Sequence, residues 1–282
     1  MKYSDVDFHV PYYIEGRSLE KSIQETASYI CASLGLKNVF EKIIYRTMQT
    51  ILRITYKLPT YLITLLKGVL KYVEQNPYGE DTQANLAQAL KNRIKVFDEI
   101  HIQNVMRFTK TIPEWISSWL NGENIFLDLA DCNKFTKLLI VNAVFQIIRS
   151  ITRDIEIEQL KHIIVIDEAH AILEKPITHN SDDADFILKE AMVKIVSELL
   201  KEYRSRGVGI IIADQSPSRL FDEVVSQPSI KIVFREDYPN NTLFSESPIE
   251  RQILTQLPNR TALVGNGATG EKYLINSIEF TV

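Results

Sequence analysis

Along the first third of the chain apolar residues recur every three to four positions, whereas beyond residue 122 they also gather into short unbroken runs. The first pattern predicts amphipathic helices. Ile23, Ala27, Ile30, Cys31 and Leu34 mark one helix from Ser18 to Leu34, with Gly35 as its stop. Two more are expected from Asn38 to Tyr56 and from Tyr61 to Glu74, broken at Leu58-Pro59. The sequence Asn76-Pro-Tyr-Gly-Glu-Asp81 has turn chemistry, and Thr82 suits an N-cap for a helix from Ala84 to Phe97. Within a segment from Phe108 to Leu120, Trp115 and Trp119 stand four residues apart, a spacing that fits helical packing better than a ligand platform.

Past Gly122 the second pattern takes over. Ile125-Phe-Leu-Asp-Leu129 reads as a short buried strand and Lys134 to Ile151 as a strongly apolar helix. Four consecutive apolar residues, Ile163 to Ile166, suit a strand covered on both faces of a parallel sheet. A loop containing Pro176 and Ser181-Asp-Asp183 leads to a long helix from Ala184 to Arg206, whose stripe is Leu188, Ala191, Met192, Ile195, Val196, Leu199 and Tyr203. Gly207 closes that helix, and Val208 to Asp214 forms the next strand. Further strands are expected at Ile230–Phe234, Thr261–Val264 and Tyr273–Phe280. Alternating strands and helices predict an α/β layered sheet, most simply parallel, behind a mainly helical portion. The boundary falls near residue 121, giving segments 1–121 and 122–282.

Composition narrows the class without naming it. At 45% hydrophobic and 24% charged, 282 residues have the makeup of a soluble globular protein, and no apolar run reaches membrane-spanning length. The opening residues lack a signal-peptide core, so a cytoplasmic location is the default. Cys31 and Cys132 form no CxxC pair, and the five histidines show no HExxH spacing, which argues against disulfide and zinc frameworks. A net charge of −4 argues against a uniformly basic nucleic-acid binder. Between Leu36 and Tyr72, however, Lys37, Lys42, Arg46, Arg53, Lys57, Lys67 and Lys71 face one acid, Glu41. That excess suits phosphates or an acidic surface, and equally the solvated face of two amphipathic helices, which is the simpler reading.

Chemistry concentrates where the apolar runs end. Ile163–Ile166 delivers two adjacent carboxylates, Asp167 and Glu168, to the tip of its strand. A nucleotide triphosphatase needs such a pair: one acid to hold Mg²⁺ and one to activate the attacking water. About forty residues later the long helix ends in Lys201-Glu-Tyr-Arg-Ser-Arg-Gly207, and the following strand ends in Ala213-Asp-Gln-Ser-Pro-Ser-Arg-Leu220. Val224-Val-Ser-Gln-Pro-Ser then leads into another strand. In this order the motifs resemble the HerA/FtsK superfamily of ring-forming P-loop ATPases, especially the HerA-like and conjugative type IV secretion ATPases. The resemblance runs from Ile125 to the C-terminus and is weaker over residues 1–120. It implies a RecA-like P-loop NTPase core with ATP and Mg²⁺ as cofactors. It further implies that Asp167 serves the metal, Glu168 is the catalytic base and Gln215 is the polar sensor. Arg204 would be the finger offered to a neighbouring subunit's nucleotide, with Arg206 as second choice. As ordinary surface chemistry, the two arginines also suit a helix C-terminus, and Gln215-Ser-Pro also suits a plain turn. His170 and Glu174 receive no chemical role. Asp167-Glu-Ala-His170 spells the label of a helicase superfamily, but that family's remaining motifs are absent.

One element is missing from the pattern. A P-loop requires Gly-x4-Gly-Lys-(Ser/Thr), and none of the ten glycines is followed by lysine. Gly265-Asn-Gly-Ala-Thr-Gly-Glu-Lys272 imitates it with an extra residue, lies between two late strands and reads as a hairpin turn. The resemblance implies a core that begins downstream of the cradle, with a gap beside the sensor strand where the cradle's strand would lie. A truncated product, a split ATPase completed by a second polypeptide, and a scaffold remnant each account for that. The expected function is the C-terminal part of a motor ATPase for DNA translocation or conjugative transfer, working in a homo-oligomeric ring or with a cradle-bearing partner. The rival is a non-catalytic interaction module. An acid/base hydrolase using Asp167 and Glu168 without nucleotide is weaker, since no nucleophile triad accompanies them.

Overall fold

The computed structural model describes residues 9–14, 18–36, 38–76, 80–96, 105–152, 157–175, 184–236, 244–245 and 247–278. The opening residues through 8, Lys37, the centre of the 76–81 turn, Phe97, the loop with Pro176 and Ser181–Asp183, and the final residues 279–282 lie outside that set, as does the side chain of Arg204.

A parallel pair opens the architecture: β1 (Val10–Ile14) runs beside β2 (Met106–Thr109). Between them in sequence come α1 (Leu19–Ser33), α2 (Val39–Thr55), α3 (Leu62–Gln75) and α4 (Glu80–Val96). The helices expected over this stretch form, but Thr82 sits inside the first turn of α4 and not at its cap. Gly35 ends α1 in the left-handed region at φ 57°, with Gly35 N–H donating to Ala32 O and Leu36 N–H to Cys31 O. This is the paired C-terminal closure that glycine makes cheap. The Phe108–Leu120 segment divides: β2 takes its start, and α5 (Glu114–Leu120) carries both tryptophans.

α6 (Lys134–Thr152) serves two cores. Leu139, Ile140, Ala143 and Ile147 pack with the helical half around Ile44, Met48, Leu62 and Leu66, while Leu138, Phe145 and Ile148 pack with the sheet behind it. A helix apolar on two sides is a buried partition, which explains why its sequence is so uniformly hydrophobic.

Behind the partition β3 (Ile157–Ile166) pairs in parallel with β4 (Arg206–Ile212), in register from His162↔Val208 to Ile166↔Ile212. The short α7 (His170–Leu173), α8 (Ala184–Glu202) and a 3-10 turn at Tyr203–Ser205 lie between them. The long helix thus stops at Glu202, and Gly207, at φ 69°, turns the chain into β4. α9 (Asp222–Ser226) and β5 (Ile230–Val233) follow. After α10 (Pro248–Gln256), β6 (Thr261–Asn266) and β7 (Lys272–Asn276) complete an antiparallel sheet of order β5-β6-β7. The Gly265–Lys272 stretch is the hairpin its sequence predicted.

Three expectations fail here for physical reasons. Residues 125–129 form no strand beyond a single bridge at Asp128, and Phe126 is 77% exposed; a run of five apolar-rich residues is not a strand without a neighbour to complete its ladder. The late strands do not extend the parallel sheet that alternation alone would favour: β6 and β7 pair antiparallel, as the predicted hairpin between them requires. β3 and β4 are covered on one face only: Ile164, Ile166, Val208, Ile210 and Ile212 meet α6 and α8, while Ile163, Val165 and Ile211 face outward. Among the described strands β4 pairs with β3 alone, and β5 begins a separate sheet. Among the described residues no helix is long and apolar enough to cross a membrane.

Candidate functional site

The site is built where parallel β3 and β4 end. Their ladder continues one step past the strands, Ala213 N–H donating to Ile166 O and Ala169 N–H to Ala213 O. Two loops therefore leave the sheet side by side. They stay laced together further on, with Lys175 N–H on Arg219 O, Phe221 N–H on Leu173 O and a bridge between Glu174 and Leu220. This crevice at the carboxyl ends of parallel strands is where open α/β sheets hold ligands.

Asp167 and Glu168 occupy the first loop, both exposed. Glu168 adopts φ 50°, a left-handed conformation unusual for a residue with a Cβ, and its N–H donates to Asp167 Oδ1 at 3.0 Å. Strain of this kind persists where surrounding structure enforces it, and it concentrates at working sites. Gln215, on the second loop, donates Nε2–H to Glu168 Oε1 at 2.7 Å. Three of the residues singled out from sequence thus converge: Asp167, Glu168 and Gln215.

Two residues beside them, Asp214 and His170, receive no role from the sequence reading. Asp214 has a side chain only 3% exposed, and it accepts from His170 N–H at 2.6 Å through Oδ2 and from Ser216 N–H at 2.6 Å through Oδ1. His170 Nδ1 lies 2.9 Å from that same Oδ2 and 3.4 Å from Glu168 Oε2. With acceptors on both sides, Nδ1 carries the hydrogen. Asp214 therefore ties the two loops together and orients His170, which flanks Glu168 opposite Gln215. The available signal was positional: Asp214 follows an apolar run just as Asp167 does.

Glu174 fastens the outer end of the crevice. It takes Lys189 Nζ at 3.2 Å and Arg219 Nε at 2.9 Å. Burial alone would push its carboxyl up, but the hydrogen bonds from Arg219 and Lys189 outweigh that and hold it below the ordinary glutamate value.

The arginines lie elsewhere. β4 begins at Arg206 and needs roughly 20 Å, at about 3.3 Å per residue, to reach its other end. Arg206 donates to Arg149 O and to Glu202 Oε2, each at 3.0 Å, and Arg149 itself grips Glu202 through Nε and Nη2. Arg204 has its backbone in the 3-10 turn beside it. Arg206 is thus held at the far end of β4 from Asp167 and Glu168.

An oxygen-rich site with one exposed aspartate suits Mg²⁺, which takes one or two carboxylates and completes its shell with water and phosphate. The donor set therefore fits the metal side of a nucleotide site. Among the described residues no glycine-rich turn stands opposite to wrap the phosphates.

No family model matches the sequence, and no curated protein does. Solved structures do match. VirB4 of Thermoanaerobacter pseudethanolicus superposes with a TM-score of 0.66 at 14% identity, over 100% of this chain and 76% of that one. The conjugative coupling protein TrwB, lacking its first 70 residues, gives 0.60 at 11% identity, over 98% of this chain and 76% of that one. TrwB bound to the GTP analogue GDPNP gives 0.59 at 12%, over 98% and 77%. The likeness spans both the helical half and the sheet, and it matches the resemblance carried by the Asp167-Glu168 and Gln215 motifs. The fold of this chain is that of the RecA-like P-loop ATPases, with the conjugative ATPases VirB4 and TrwB among its structural neighbours.

Proposed function

We propose that this chain is the C-terminal part of an ATPase that drives DNA transfer, with residues 1–121 as a helical attachment and 122–282 as part of the motor core. The observation that carries the proposal is the 2.7 Å contact between Gln215 and Glu168 at the tips of two parallel strands. In this reading Asp167 holds Mg²⁺, which offsets the charge on the phosphates. Glu168 accepts the proton of the attacking water, and Gln215 holds that carboxylate and senses the terminal phosphate. His170, fixed by Asp214, positions Glu168 from the other side. Arg204 acts on a neighbouring subunit's nucleotide in a ring. Arg206 is the weaker candidate for that role, since its guanidinium is already engaged by Glu202 and the Arg149 carbonyl. DNA as the substrate rests on the likeness to TrwB, a conjugative coupling protein.

The phosphate cradle is not among these 282 residues. Hydrolysis therefore requires one from a preceding segment or from a second polypeptide. Calorimetry of this chain alone with Mg-ATP is expected to detect no micromolar binding; such binding would place the phosphate site elsewhere. Fused to a cradle-bearing segment, the chain should hydrolyse ATP, and Glu168→Gln should slow turnover about 10²–10⁴-fold, the usual contribution of a general base. Unchanged turnover in that variant would remove Glu168 from the chemistry. The same missing cradle supports a second reading, a scaffold that keeps the assembly surface without catalysis, and a fusion that binds but never hydrolyses nucleotide would favour it.

A further inference from the structure

Helix α2 turns a line of cations away from its core. Phe40, Ile43, Ile44, Thr47 and Met48 are buried, while Lys42, Arg46 and Arg53 are exposed. At 3.6 residues per turn the three cations fall within about 40° of one another, opposite the buried face, with axial spacings of about 6 and 10 Å. Lys57 follows just past the helix, and Lys67 and Lys71 stand one turn apart on the exposed side of α3. Elsewhere several basic side chains are paired with acids, as in Lys91–Glu74, Arg149–Glu202 and Lys175–Asp222. Among the described residues, none of these six cations forms an ion pair, and Glu41 is the one acid between Leu36 and Tyr72.

An aromatic ring stands at the end of this line. Tyr56 is 87% exposed and closes α2 with its N–H on Leu52 O, in the left-handed conformation at φ 58°, ψ 12°. Glycine or asparagine takes that conformation cheaply; here a tyrosine holds it between Arg53 and Lys57, with Ile54 also exposed beside it.

We propose that α2 and its C-terminal tip bind single-stranded nucleic acid. The cations neutralise backbone phosphates, and Tyr56 stacks on a base, the combination by which proteins hold single strands without reading sequence. A bilayer is a poorer fit, because the apolar side of α2 is committed to the core and leaves only Ile54 and Tyr56 at its tip to insert. The proposal does not depend on the nucleotide site.

The test is fluorescence anisotropy of the full chain with a labelled thirty-residue oligo-dT, without nucleotide. Binding is expected in the micromolar range at low salt, weakening roughly 50-fold between 50 and 200 mM NaCl if about four phosphates are neutralised. The triple variant Lys42→Glu/Arg46→Glu/Arg53→Glu should lose at least tenfold in affinity with an unchanged melting curve. Tyr56→Asn keeps the backbone conformation and removes the ring; it should weaken oligo-dT about fivefold and a thirty-base-pair duplex less than twofold. Wild-type affinity in the triple variant overturns the proposal, as does equal binding of polyglutamate, which would assign the surface to an acidic protein. Equal loss on single strand and duplex in Tyr56→Asn overturns the stacking role.

Discussion

The helical half and the sheet half of this molecule treat their apolar residues differently. Around α1 to α4, Ile30, Ile44, Met48, Leu62, Leu65, Leu66 and Leu90 are sealed from solvent, each helix spending its stripe on its neighbours. Around β3 and β4, Val165 is 62% and Ile163 47% exposed, and Ile211 joins them on the outward face; Ile230, Ile232 and Phe234 are likewise exposed near β5. The contrast follows from geometry. A helix buries one stripe and can finish its core with local partners, whereas a parallel strand has two faces and two edges that only other elements can cover. Among the described strands β4 pairs with β3 alone, so under the proposed function the exposed residues beside it are where a cradle-bearing segment would dock.

The widest departure between the halves should be in chemistry. In the cradle-complemented protein Glu168→Gln should lower turnover about 10²–10⁴-fold while leaving the denaturation midpoint unchanged, because its side chain is exposed. Next comes packing. Leu66→Ala, in the sealed core, should cost about 2–5 kcal/mol in urea unfolding, against less than about 0.5 kcal/mol for Val165→Ala. Equal costs would mean that the outward sheet face is covered in solution. Smaller is the effect of Glu174→Gln, which weakens the hold on Lys189, an ammonium buried in the wall of the crevice; about 1–3 kcal/mol is expected at pH 7. Since folding lowers the Glu174 pKa, its contribution is full above the unfolded value of about 4.3 and is lost as pH falls through the folded value. Unfolding curves of wild type and variant should therefore converge on acidification. Smallest in stability is the double change Ile163→Thr/Val165→Thr, within about 0.5 kcal/mol, yet it should reduce binding of a hydrophobic dye and weaken assembly with a cradle-bearing segment.

Legibility in the sequence followed the range of the interactions involved. The α1 helix and its Gly35 closure were readable because periodicity and a left-handed stop act within a few residues. The position of the carboxylate pair at a strand tip was readable because the apolar run that marks the strand ends immediately before it. Residues 125–129 misled because a strand exists only by pairing. Asp214 and His170 were not readable as partners: 44 residues separate them, and only the parallel register of β3 and β4 sets them 2.9 Å apart.

The amino-acid order alone determined the helical segments, the hairpin at Gly265–Lys272, the acidic tip at Asp167-Glu168 and the lack of a phosphate-binding loop, all of which depend on neighbours close in the chain. Tertiary structure decided the rest. It set Gln215 against Glu168, engaged Arg206 within its own chain, split the strands into separate sheets and left one face of β3 and β4 open. Those outcomes depend on which distant surfaces meet, and local pattern carries no information about that.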